Sequence, residues 1–410
     1  MELFKNMRRQ VAIFFAVLGP GFITAMVDND AGGIFTYSEA GARFGYLSLW
    51  TLIPITIALI VAQEMCSRMG AVTGKGLSDL IREEFGLRTT FLVMVVLLVV
   101  NLANVAANFA GVAGSLELFQ TPRYVSVPIG AALVWLLVVK GTYDSVEKIF
   151  LVASTFYFAY IVSAVMVKPD WERALAATVT PVLLSDAGYI ALLVGLVGTS
   201  VAPWMQFYLQ AAVVEKGIDA KQYKESRVEV VVGCIVMSLI AFFIIVSSAG
   251  AIWEQGPRAI GDAAEAALAL KPLGEYAYYL FAAGLLSASL FASSILPLST
   301  AYTVCEGLGF ESGVNKRFDE APTFYWLYTL LIVLGAGVTL IPNFPLVRLI
   351  LWSQVLNGIL LPVILIFTVM LINREDLMGE WTNSWFYNVI AYVTVAAMIV
   401  LSLTLAWMSL

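Results

Sequence analysis

Apolar runs of about 20 residues recur along this chain from near residue 11 to near residue 409, and no other feature limits its fold as strongly. A run of that length matches the hydrocarbon core of a bilayer. Lipid offers a backbone no water to bond, so each crossing segment must satisfy its own N–H and C=O groups, and a helix is the open-ended way to do so. Composition agrees, with 60% apolar and 13% charged residues against roughly 45–50% and 25% in soluble domains. Gly, Pro and charge clusters divide the runs into eleven spans, and the expected fold class is an all-α polytopic membrane protein with 11 transmembrane helices.

Basic residues orient these spans. If Lys5, Arg8 and Arg9 lie inside, the other inner segments hold clusters such as Lys216, Lys221, Lys224 and Arg227, while the outer segments keep scattered residues such as Arg43 and Arg258. Lys and Arg favour the cytoplasmic side, so the expectation is a multi-pass plasma-membrane protein with a cytoplasmic N-terminus and an extracellular C-terminus. The first span is too long and too polar at its centre for a cleaved signal peptide. The lipid bilayer is the expected environment, and no obligate protein partner is evident. A net charge of −6 with no basic patch between aromatics argues against nucleic acid. Cys66, Cys234 and Cys305 lack metal-ligand spacing, so no disulfide framework, zinc site or resident cofactor is expected. Histidine is absent, which removes the commonest proton shuttle near neutral pH.

Two spans carry residues that ought to break them. "MVDNDAGG" (26–33) puts Asp28, Asp30, Gly32 and Gly33 inside the first, and "VGTSVAPWMQ" (197–206) puts Pro203 inside the sixth. Irregular backbone is tolerated at that depth only where protein or a polar cavity surrounds it. The two breaks are five spans apart, and the odd spacing starts the second unit of five on the opposite side of the membrane. That is the arithmetic of an inverted repeat: 1–168 for spans one to five, 169–378 for spans six to ten, and 379–410 for an additional helix, all in one membrane domain. Interrupted helices in corresponding positions of two halves point to a transport site at the midplane. Asp30, an acid in a span without a basic residue, is the expected charge partner of a cation.

Four stretches in register carry a family resemblance. "GPGFITAMVDNDAGG" (19–33) resembles the first-helix motif of the NRAMP divalent-metal transporters, "GTSVAPW" (198–204) the sixth-helix motif, "AYTVCEGLG" (301–309) the end of the eighth helix and "WSQVLNGILLP" (352–362) the tenth-helix motif. The resemblance implies a LeuT-like fold of five plus five helices and a divalent metal ion as the partner. It implies that Asp30 holds the metal, that Gly33 stands where the family has Asn, and that Ala202 stands where it has Met. By the same resemblance the backbone carbonyls of Val27 and Thr199 and the Gln354 side chain face the ion. Asp28 replaces an aromatic, and is either an acid that hydrogen-bonds ion-bound water or a cap on the broken half-helix.

The departures suggest a particular ion. Without the thioether the remaining carboxylate, carbonyl and water ligands suit harder ions, and small residues at 33 and 202 leave room for the waters that Mg²⁺ retains. Trp204 stands in the place of a histidine that the family links to proton movement, and Asn101 and Asn104 in the places of two acids. This pattern is similar to the NRAMP-related magnesium transporters. The expectation is proton-uncoupled uptake of Mg²⁺, and of Mn²⁺, through a partly hydrated site between the broken helices. The alternative is a proton-coupled Mn²⁺ or Fe²⁺ symporter. A sodium-coupled amino-acid carrier would place an anionic substrate against Asp30. An enzyme without histidine would be left with carboxylate pairs or Ser-Lys, and Asp28 and Asp30, which could imitate an aspartyl pair, lie on one segment and not on two facing helices, so no catalytic residue is expected.

Overall fold

In the computed structural model, which describes residues 19–140 and 154–408, nearly every element is a helix. The first broken span consists of α1 (Pro20–Val27) and α2 (Ala31–Phe44), followed by α3 (Leu52–Thr73), α4 (Leu77–Glu117), α5 (Arg123–Lys140), α6 (Phe158–Met166) and the short α7 (Trp171–Val179). The second broken span consists of α8 (Ala187–Ser200) and α9 (Pro203–Glu215). After these come α10 (Tyr223–Ala251), α11 (Ala277–Leu308), α12 (Pro322–Thr339), α13 (Leu346–Ile372) and α14 (Trp385–Met408).

Among the described residues nine helices are long and apolar enough to cross a membrane. The sequence expectation was eleven. α1 and α2, with 8 and 14 residues, each fall short of a full crossing when separated by their break. The span expected near 149–167 is described only from residue 154, and the start of the first span, with Lys5, Arg8, Arg9 and Lys148, lies outside the described residues. Phe91, Leu92, Val99, Trp326, Val333, Leu403 and Trp407 turn outward, the arrangement of a bundle whose solvent is lipid.

Packing sets the broken helices between unlike neighbours. α10 lies along both α1 and α2, while α4 and α13 approach α2 from another side. α4 itself continues through a non-helical Gly86 at φ 79°, a backbone conformation that glycine adopts without strain. α8 meets α13 at very close range: a Cβ on Gly198 would overlap the Gln354 carbonyl oxygen, and one on Gly358 would overlap the Val194 carbonyl oxygen. Small residues of this kind let membrane helices touch backbone to backbone. At one end of the bundle, Arg68 of α3 donates to the Trp381 carbonyl at 2.9 Å and the Thr382 carbonyl at 3.1 Å, and pairs with Glu64 at 3.1 Å, tying α3 to the segment before α14.

Candidate metal site at two helix breaks

Both breaks form where the residues demanded them. α1 ends at Val27, the chain turns through Asp28 and Asn29, and α2 restarts with Asp30 as its N-cap. Asp30 Oδ1 accepts the Gly33 backbone N–H at 2.9 Å, satisfying one of the donors that a helix start leaves open. Asp30 is thus the N-cap of α2, and Asp28 stands at the C-cap of α1 with its backbone N–H bonded to the Met26 carbonyl. In the second break Val201 and Ala202 leave helical geometry, and Pro203 opens α9 at the position where a missing N–H does no harm.

Amides surround Asp30. Its Oδ2 accepts from Asn108 Nδ2 at 2.7 Å, and Asn108 Oδ1 accepts the Ala31 N–H at 3.3 Å, so one α4 side chain grips both sides of the helix start. One turn away, Asn104 Oδ1 accepts from Gln354 Nε2 at 3.2 Å and from Asn357 Nδ2 at 3.1 Å, while Asn104 Nδ2 donates to Asn357 Oδ1 at 2.8 Å. Asn357 also donates to Gln354 Oε1 at 3.0 Å. Asn101, in the same series, donates to Thr300 on α11 at 2.8 Å. Asn101 and Asn104, the residues in the places of the family's two acids, join α4 to α11 and α13, and Asn108 holds Asp30. That partnership was missed from the sequence, although the spacing of Asn104 and Asn108 by four residues in an apolar run was its available signal.

The remaining expected residues are all deeply buried. Val27 is the last residue of α1, Thr199 lies in the last turn of α8, and Ala202 sits between α8 and α9 with its carbonyl accepting the Met205 N–H at 3.1 Å. The breaks are joined by Tyr37 of α2, whose hydroxyl is 2.8 Å from Ser200 Oγ. Tyr157 donates to the Asn29 carbonyl at 2.5 Å and closes the turn from a further side. Gln354 reaches Gly32, where a Cβ would overlap its amide. Asp28 is 3% exposed, and its Oδ2 has no hydrogen-bond partner. No three His, Cys, Asp or Glu side chains converge among the described residues, so an ion here draws on carbonyl, amide, hydroxyl or thioether donors as well.

Residues 21–408 match the family described as Natural resistance-associated macrophage protein-like, Nramp. The chain belongs to the Nramp family. The "Divalent metal cation transporter MntH" of Verminephrobacter eiseniae is 26% identical over 96% of this chain and 89% of that relative. The protein of the same name from Deinococcus radiodurans is 26% identical over 97% of this chain and 91% of its own length. A manganese transporter of Eremococcus coleocola, solved with an aromatic bis-isothiourea compound, superposes with TM-score 0.74 at 21% identity, over 95% of this chain and 85% of that one. Mhp1, a nucleobase-cation-symport-1 family transporter, superposes with TM-score 0.61 at 12% identity, over 95% and 92%. These likenesses make the fold LeuT-like, and the membership is that of a transporter and not of an enzyme.

The comparisons overturn the expectation of a proton-uncoupled Mg²⁺ carrier. Relatives aligned over nearly the whole chain are named as divalent metal cation transporters, and a structural neighbour as a manganese transporter. The physical premises fail as well. Room for a hydrated ion was inferred from small residues at 33 and 202, yet the Asp28 carbonyl oxygen lies 2.5 Å from where a Gly33 Cβ would be. The missing thioether at Ala202 was taken as the absence of sulfur, yet Cys234 and Met237 lie buried in α10, the helix packed along the broken span.

Proposed function

We propose that this Nramp chain carries Mn²⁺ across a membrane as a proton-coupled symporter, with the ion held at the break between α1 and α2. The observation that carries the reading is Asp30: a buried carboxylate capping a half-helix where two interrupted helices are linked by Tyr37 and Ser200. In this reading Asp30 is the principal ligand. The carbonyls of Val27 and Thr199, the backbone at Gly33 and Ala202, and the Gln354 side-chain oxygen complete a set of oxygen donors that suits Mn²⁺, and Asp28 contributes a second negative charge. Two carboxylates in one buried turn require compensating positive charge, which protons and a metal ion supply in turn. The departures at Gly33, Ala202 and Trp204 are read as variation of the ligand set within the family, not as a separate magnesium branch.

The reading includes an architecture: eleven spans, inverted repeats over 1–168 and 169–378, and a further helix over 379–410, with the N-terminus cytoplasmic and the C-terminus extracellular in the plasma membrane. The corresponding breaks support it, and rocking of one repeat against the other supplies access from alternate sides. Proteoliposomes carrying a Mn²⁺ indicator and a pH indicator test the function. Mn²⁺ entry accompanied by proton entry, faster as the outside pH falls, is the expected result. Mn²⁺ entry with a static internal pH sinks the coupling, and no Mn²⁺ entry sinks the reading.

A further inference from the structure

α11, with 32 residues, is long and apolar enough to cross a membrane, so the chain before it and the chain after it lie at opposite ends of the bundle. The same kind of contact occurs at both ends. At one, Glu39, in the last two turns of α2 and 6% exposed, accepts the Ile260 backbone N–H at 2.7 Å. The Arg258 N–H donates to the Ala42 carbonyl at 3.2 Å, and the Arg43 guanidinium stands 3.8 Å from the Glu39 carboxylate. At the other end Glu215, the last residue of α9, accepts the Val314 N–H at 2.9 Å and the Asn315 N–H at 3.2 Å through one oxygen. The Tyr302 hydroxyl of α11 donates to its other oxygen.

α2 and α9 are the second halves of the two broken spans, so equivalent half-helices are each held, near the end away from the break, by a glutamate on loop N–H groups. Each carboxylate also borders a cavity. One of about 230 Å³ lies between α2, α8 and α13, lined by Thr36, Glu39 and Val355, and one of about 120 Å³ lies between α9, α11 and the loop after α11, lined by Ala212, Glu215 and Tyr302. On the first side α8 is tied to the α2 segment twice, by Tyr37 on Ser200 at 2.8 Å and by the Tyr189 hydroxyl on the Leu47 carbonyl at 3.0 Å. A displaced α2 therefore carries α8 with it. We propose that Glu39 and Glu215 are positioning residues for transport, two latches that hold opposite ends of the ion pathway shut by fixing α2 to residues 258–260 and α9 to residues 314–315. The proposal rests on the reading of the chain as a transporter and goes beyond it by naming the contacts that must break at each end. Hydrogen bonds to an ionised acceptor are the strong ones, and loss of one latch shifts the population toward the state open at that end. Both latches are formed in this structure.

Thiol accessibility reads each end separately. Thr36→Cys and Ala212→Cys, each made in a parent chain carrying Cys66→Ser, Cys234→Ser and Cys305→Ser, place one thiol in the cavity beside Glu39 or beside Glu215, and its modification by a small charged methanethiosulfonate is timed in the purified full chain. Glu39→Ala is expected to speed modification at position 36 about tenfold, the size set by a hydrogen bond to a charged group, with position 212 unchanged or slower. Glu215→Ala is expected to do the reverse. Glu39→Gln and Glu215→Gln keep an oxygen that accepts the loop N–H and should stay close to the parent rates. Ile260→Pro and Val314→Pro remove a donor from the loop side; they should reproduce the alanine results, and they replace an alanine variant that fails to fold. Rates that do not move in the folded variants overturn the latches, and so does a variant that speeds both positions together, the mark of general loosening. Mn²⁺ uptake by the wild type separates the two readings: uptake with unmoved rates removes the latches and leaves the transporter, and moved rates without uptake do the reverse.

Discussion

At the first break the chain turns through Asp28 and Asn29 and restarts under a carboxylate cap, whereas at the second it turns through Val201 and Ala202 and restarts on Pro203 with no capping side chain. Each break brings a helix C-terminus and a helix N-terminus into the interior. The carbonyl ends of α1 and α8 carry partial negative charge and favour a cation, and the N–H ends of α2 and α9 oppose it. Asp30 offsets that opposition at α2 by supplying a full negative charge, while Pro203 removes one donor at α9 without adding charge. The first break thus concentrates the electrostatics, and the second supplies geometry and carbonyls.

Asp30→Ala attacks that contrast most directly. It should reduce Mn²⁺ uptake in proteoliposomes to background while costing only about 1 kcal/mol of helix capping. Uptake near the wild-type level in a folded variant would move the charge of the site away from the first break. Asn108→Ala leaves the carboxylate in place and removes its α4 partner. Loss of a group that orients a metal ligand commonly weakens binding about 10- to 100-fold, and Mn²⁺ titration of this variant should fall in that range with the melting temperature little changed. The smallest effect is expected at the second break, where Pro203→Ala keeps the carbonyls and adds one backbone donor. Its stability change should stay within about 1 kcal/mol, with Mn²⁺ affinity close to wild type. A large loss of affinity there would make the two breaks equal partners.

The sequence alone made both breaks legible. Acids and paired glycines inside an apolar run, and a proline inside another, leave a helix no regular continuation, and the interruptions fall at 28–30 and 201–202. Burial of Asp30, Val27, Thr199, Ala202 and Gln354 was legible too, because the four motifs stand in order along the chain. The volume beside the acids was not legible: the glycine at 33 reads as empty space in one dimension, and the occupant, the Asp28 carbonyl, arrives from the fold of the turn itself, just as the Gln354 amide arrives beside Gly32 from another helix. The choice of ion rested on one missing thioether at position 202, and it is the relatives matched along the whole chain that overturn it.

What the sequence by itself determined is whatever a single segment settles through its own backbone: long apolar helices, their two interruptions, and a carboxylate that needs a cation. The tertiary structure alone decided which side chains meet those carboxylates. Asn108 is 78 residues from Asp30, and Tyr37 is 163 residues from Ser200. Such pairs are set by how α4, α10 and α13 pack around the broken span, and in a bilayer that packing follows from close backbone contacts such as Gly198 on Gln354, which a hydropathy pattern does not encode.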